Sequence, residues 1–122
     1  MDLKELNWLI KEKYKTNINL NNFIKDFKKL QKNIPLDYII GETDFLNCKI
    51  NLKYKPLIPR VETIWYMEKE TKFLQQYFKN KIEILDIFSG SGCMGIYANK
   101  ILDSNVTFSD IKNIFLKQIK LN

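Results

Sequence analysis

The chain has 122 residues, with 20 Lys and Arg against 14 Asp and Glu, no His, two Cys and a formal charge of +6. That length gives room for one domain or a small domain with an appendage, and 45% hydrophobic with 28% charged residues is ordinary for a globular protein. Without His, His-based metal centres and Ser-His or Cys-His catalysis are excluded; Cys48 and Cys93 have no metal or disulfide spacing, and no apolar run approaches the ~20 residues of a membrane span.

The N-terminus, Met1-Asp2-Leu3-Lys4-Glu5, has early acids and no apolar core, which argues against a secretory signal and for the cytoplasm. Leu3, Leu6, Leu9 and Ile10 recur at helical spacing over residues 2–14. A polar break from Asn17 to Asn22 follows, and Phe23, Ile24, Phe27 and Leu30 restart a helical stripe, with Asn21 or Asn22 as its N-cap and Pro35 as its stop. These two helices are expected to form a hairpin whose apolar stripes are packing surface. From Thr43 to Tyr54 the pattern moves to period two, predicting a β-hairpin with arms 44–46 and 49–53 and a turn at Asn47. Pro56 and Pro59 bracket an extended Leu57-Ile58 segment.

An amphipathic helix is predicted over 62–79, with Ile64, Trp65, Met67, Phe73, Leu74, Tyr77 and Phe78 available for one broad apolar face. A short buried-type strand (82–87), a helix (93–102), a second strand (106–109) and a second helix (111–121) complete the chain. Strands separated by single helices imply parallel pairing through right-handed crossovers. The fold class is α/β: the first β-α-β-α half of a doubly wound, Rossmann-like sheet, preceded by a short helical N-terminus and a β-hairpin. The expected organisation is a helical region over 1–34, the hairpin and linker over 35–61, and an incomplete Rossmann-like domain over 62–122.

The run Ile84-Leu85-Asp86-Ile87-Phe88-Ser89-Gly90-Ser91-Gly92-Cys93-Met94-Gly95 carries the chemistry. An apolar strand ends in an acid, crosses a glycine turn and enters a helix, which is the layout of a nucleotide-type cofactor loop. Gly90 permits a tight turn, Gly92 removes a side chain where backbone must approach a ligand, and the helix N-terminus offers unpaired N–H groups. Asp86 can accept from a ligand ammonium or hydroxyl, or orient the loop. Asp110, 24 residues on at the end of the next strand, stands where an acid can take both ribose hydroxyls. Gly90, Gly92 and Gly95 meet the dinucleotide fingerprint literally, but Asp86 suits a ligand with a cationic amino-acid portion, and a purely structural β–α turn has the same spacing. Cys93 opens the next helix, where a thiol pKa can fall; a small packing residue is the commoner role of free Cys.

The basic charge reads as codon bias rather than a nucleic-acid surface. Nineteen of the twenty cations are Lys, AT-rich-codon residues abound, and no lysine run reaches polybasic length. Arg60 is the single Arg.

The blocks Pro35-Leu36-Asp37-Tyr38-Ile39-Ile40-Gly41-Glu42, Leu57-Ile58-Pro59-Arg60-Val61-Glu62-Thr63, Asp86 with Ser89-Gly90-Ser91-Gly92, and Ser109-Asp110-Ile111 resemble, in order and spacing, the release-factor glutamine methyltransferases. The Leu-Ile-Pro-Arg-x-Glu-Thr block is more distinctive than the glycine loop. The resemblance implies an S-adenosyl-L-methionine-dependent enzyme that methylates the Gln of the Gly-Gly-Gln loop of class 1 peptide chain release factors. It implies that Phe88, Ser89, Gly90, Ser91 and Gly92 wrap the methionine part of the cofactor, that Asp86 lies beside them, that Asp110 holds the ribose, and that Pro59 and Arg60 line the site beneath the hairpin. A forked guanidinium that Lys cannot replace explains the sole Arg.

Four features depart from the family. Phe88 stands where a small residue, often Gly, is usual, Val61 replaces a Pro, the helical N-terminus is about half the usual length, and the substrate-binding Asn-Pro-Pro-Tyr motif is absent, so no catalytic residue is assigned. The expectation is a C-terminally truncated methyltransferase, completed by a second chain or an oligomer. The alternatives are a non-catalytic remnant that binds the cofactor or a release factor, and a fragment of an adenine amino-methyltransferase.

Overall fold

The computed structural model describes residues 2–15 and 17–122, and the chain divides into two compact units, Met1–Glu42 and Thr43–Asn122. No helix among the described residues is long and apolar enough to cross a membrane.

The first unit is helical. α1 (Leu3–Leu9) starts in a capping box: the Asp2 side chain accepts from the Lys4 and Glu5 backbone region, and the Glu5 carboxylate accepts from the Asp2 N–H. It continues as a π-helical turn, Ile10–Tyr14. α2 (Leu20–Gln31) begins one turn earlier than its apolar stripe suggests, because Asn19, not Asn21 or Asn22, caps it by accepting from the Asn22 N–H at 3.1 Å. Asn33, at φ +55°, ends the helix in a Schellman motif: its N–H reaches the Leu30 carbonyl and the Ile34 N–H reaches that of Lys29. Pro35 is therefore not the stop. It caps a further short helix, α3 (Leu36–Ile40), that packs on both α1 and α2. Leu9, Tyr14, Leu30 and Ile39 form the core of this unit.

Beneath that core lies a buried carboxylate. Asp26 accepts from the Tyr14 hydroxyl at 2.8 Å and pairs with Lys13 and Lys29 at 2.7 Å each. Burial alone would raise its pKa, but the two ammonium groups and the phenol hold it below the usual carboxylate range. Burial first, and then the neighbouring Asp26, push Tyr14 up to about 12.

The second unit is α/β. β1 (Glu42–Phe45) and β2 (Cys48–Asn51) pair across a two-residue turn at Leu46-Asn47. Phe45, Cys48, Ile50 and Leu52 are buried, as the period-two pattern requires. An extended segment leads to α4 (Val61–Tyr77), followed by β3 (Glu83–Ile87), α5 (Cys93–Leu102), β4 (Asn105–Ser109) and α6 (Asn113–Ile119). β3 and β4 are parallel, with Asp86 opposite Phe108 and Ile87 opposite Ser109. This is a partial doubly wound sheet: one β-α-β unit and the helix after it.

Two expectations fail here. β3 is not buried on both faces: Ile84 and Asp86 face α5, while Leu85 and Ile87 are 59% and 57% exposed. α4 does not bury a broad face either. It packs on α5 with Met67 and Thr71 inward, and Trp65, Phe73, Tyr77 and Phe78 stay exposed. A ten-residue α5 covers only part of its neighbours, so apolar positions outside its footprint remain in water.

α6 ties this unit together. Gln118 is fully buried, yet its amide donates to the Asn51 carbonyl at 2.7 Å and its oxygen accepts from the Tyr54 N–H at 2.8 Å. Both polar ends of a buried amide are thereby satisfied.

Candidate functional site: the β3–α5 loop

The loop follows β3 at the carboxyl edge of the sheet, where open α/β sheets take ligands. Phe88 leaves the strand at φ +58°, a left-handed conformation that costs a non-glycine residue on the order of 1–2 kcal/mol. The next residues hold that turn in place. The Ser89 N–H donates to the Ser109 carbonyl at 3.0 Å, and the Ser89 hydroxyl accepts from the Ser109 N–H at 3.1 Å and lies 2.7 Å from its acceptor, the Asp86 carbonyl. The Gly92 N–H closes the turn onto the Ser89 carbonyl at 2.7 Å. Gly90 and Gly92 are both left-handed, at φ +54° and +77°: Gly90 makes the tight turn expected of it, and Gly92, expected to clear space for a ligand, is a turn residue too.

The two glycines face different surroundings. A Cβ on Gly90 would meet nothing closer than the Phe88 carbonyl at 4.0 Å, so the loop is open on that side. A Cβ on Gly92 would lie 2.9 Å from Ile119, so α6 occupies the space there. Gly92 thus serves helix packing, and the open side of the loop is Gly90. Gly95 admits no side chain at all: its Cβ would fall 2.5 Å from Phe108, 2.8 Å from the Asp86 carboxylate and 2.9 Å from Val106.

Both predicted acids lie at this edge. Asp86 accepts from the Gly95 N–H at 3.1 Å, which pins the start of α5 to the strand. Its pKa is raised, foremost by burial, with the Gly95 bond opposing and the Asp110 charge adding to the rise. Asp110 accepts from the Gly90 N–H at 2.9 Å through one oxygen and from the Lys112 N–H at 2.9 Å through the other. Each oxygen keeps a lone pair, enough for two hydroxyl donors. The Ser91 N–H has no hydrogen-bond partner among the described residues. An anionic or carboxylate group on the loop and a diol on Asp110 therefore fit the donors and acceptors present.

The other predicted residues divide. Ser91 is buried, and its hydroxyl caps the Cys93 N–H at 3.4 Å. Cys93 is buried and its thiol is pushed up, chiefly by burial, so it is a packing residue rather than a nucleophile. Arg60 is exposed and opens α4, its carbonyl accepting from the Thr63 N–H; no hydrogen bond or ion pair joins Pro59 or Arg60 to the loop among the described residues. Sequence reasoning missed Asn122, whose amide donates to the Ser91 carbonyl at 3.0 Å while its oxygen accepts from the Asn51 N–H at 2.6 Å. No spacing signal marks that residue.

No family model matches the chain. A release factor glutamine methyltransferase of Borreliella burgdorferi is 32% identical over 100 residues, which are 82% of this chain and 34% of that protein. That of Lactococcus lactis is 35% identical over 97 residues, 78% of this chain and 34% of its own length. By sequence the chain is related to the release factor glutamine methyltransferases. A release factor glutamine methyltransferase of Buchnera aphidicola is 34% identical over 117 residues, 93% of this chain and 38% of that protein. The chain thus spans about a third of the length of the methyltransferases it matches.

Proposed function

We propose that this chain supplies the cofactor side of a release factor glutamine methyltransferase, with S-adenosylmethionine as its ligand. In this reading Phe88 to Gly92 take the methionine part of the cofactor, the free Ser91 N–H faces its carboxylate, and Asp110 takes the ribose hydroxyls. Asp86 acts as a positioning residue that locks α5 under the loop. The bound cofactor would supply an electrophilic methyl group; the chain's own residues bind and orient it. The methyl acceptor would be the glutamine side-chain amide of a class 1 peptide chain release factor, brought by a polypeptide segment that covers the Leu85 and Ile87 face of the sheet and completes the substrate side. Pro59 and Arg60 are assigned to the rim beneath the hairpin. The work belongs with translation, in the cytoplasm.

The observation that carries this reading is the Asp110–Gly90 bond on the open side of the loop, which brings a diol-binding carboxylate and the glycine turn together. Calorimetric titration with S-adenosylhomocysteine tests it. Wild type should give saturable heat, and Asp110→Ala should bind at least about tenfold more weakly through loss of charge-assisted hydrogen bonds, while still melting cooperatively. A folded sample that gives no heat as wild type, nor with Phe88 replaced by glycine, removes the cofactor reading.

A further inference from the structure

We propose that Phe88 is an affinity-determining residue of this site, and that its ring is the apolar surface on which the bound cofactor rests. The inference builds on the cofactor reading of the loop.

Three observations meet at this residue. Its backbone is left-handed, at φ +58°, where glycine would relax and phenylalanine does not. Its side chain is 79% exposed, so the ring returns almost no burial to the fold for that strain. The conformation is nevertheless held firmly, because Ser89 is bound to both the N–H and the carbonyl of Ser109 and Gly90 is bound to Asp110. A strained residue that a well-bonded frame keeps in place, and that lies mostly in solvent, points to something that binds there. The frame also fixes where: the carboxyl edge of the sheet, beside the open face of Gly90 and the free lone pairs of Asp110. The ligand class that fits has a polar end for the loop and Asp110 and a heterocyclic or thioether portion for the ring. Both kinds of group make favourable contacts with a phenyl face or edge.

The experiment titrates S-adenosylhomocysteine into the full chain as wild type, Phe88→Gly and Phe88→Leu, with thermal melts in parallel. Phe88→Gly should melt higher by about 4 °C as the strain is shed, yet bind roughly three- to tenfold more weakly, the range of an aromatic contact. Phe88→Leu keeps the strain and part of the surface, so it should melt like wild type and bind between the two. If Phe88→Gly binds as tightly as wild type or more tightly, the proposal fails, and the ring is an obstruction or the seat of a protein segment instead. Wild type that stays silent while Phe88→Gly binds overturns this role and leaves the cofactor reading of the loop standing. Silence of both removes the cofactor reading, and the role of Phe88 with it.

Discussion

Asp26 in the helical unit and Asp86 in the α/β unit are both shielded carboxylates, and their surroundings are opposite. Asp26 has each oxygen on a lysine ammonium and a phenol besides, so its charge is matched and its pKa is depressed. Asp86 has one backbone N–H and a second acid, Asp110, across the edge of the sheet, so its pKa is raised. In a chain with 20 cations and 14 acids, a pair of acids that forms no ion pair with any described Lys or Arg is an unused opportunity for stability. The comparison separates a carboxylate whose charge holds a fold together from one, Asp86, whose charge no cation matches, the kind of perturbed acid that is concentrated at functional sites.

The largest effect should come from breaking the matched cluster. Asp26→Ala leaves Lys13 and Lys29 facing each other and should destabilise the helical unit by roughly 3 kcal/mol, read as a lowered urea midpoint. A loss below about 1 kcal/mol would place Asp26 with ordinary surface pairs instead. The sign of its pH dependence follows from the depressed pKa. Asp26 contributes stability above the unfolded carboxylate pKa of about 3.9 and loses it as pH falls through the lower folded value. Asp26→Ala should flatten that acid limb.

Next in size is Gly95→Ala, which forces a methyl group against Phe108 and the Asp86 carboxylate and should cost about 2 kcal/mol by overpacking. Thermal melts would show it, and an unchanged midpoint would mean that β3 and α5 separate easily. The smallest effect runs the other way. Asp86→Asn keeps an acceptor for the Gly95 N–H and removes a charge that burial disfavours. Because the folded pKa is raised, the native state binds its proton more tightly than the unfolded one, and stability falls as pH rises from about 3.9 through the folded value. Asp86→Asn should therefore melt slightly above wild type at pH 7, with the gap closing near pH 4. Equal midpoints at pH 7 would sink the contrast between the two acids.

The strand–turn–helix of the candidate site was readable because its signals are local: an apolar run, an acid and two glycines within nine residues. Parallel pairing of β3 and β4 followed from the intervening helix. What escaped depends on geometry between distant segments. Tyr14 meets Asp26 from the end of a π-helical turn, and periodicity does not announce such a turn. α3 escaped because five residues after a proline look like linker, although proline opens helices as readily as it ends them. That two parallel strands leave apolar surface uncovered was legible; which faces of β3 and α4 stay exposed was not, because composition says which residues are apolar and not where neighbours cover them. Asp110 was legible as an acid at a strand end; that it also braces Gly90 was not.

The Asn122 bonds to Asn51 and Ser91 set a timetable for synthesis. Ser91 is made 31 residues before Asn122, and Asn51 is made 71 residues before it. At elongation rates of about 5–20 residues per second, the glycine loop waits about 2–6 s for its clasp, and the β2 edge about 4–14 s. The nascent chain therefore displays the glycine loop before the outer fastening of that loop has been made. Replacing that one side chain, as in Asn122→Ala, would loosen the two segments together, far from each other in sequence and without touching either.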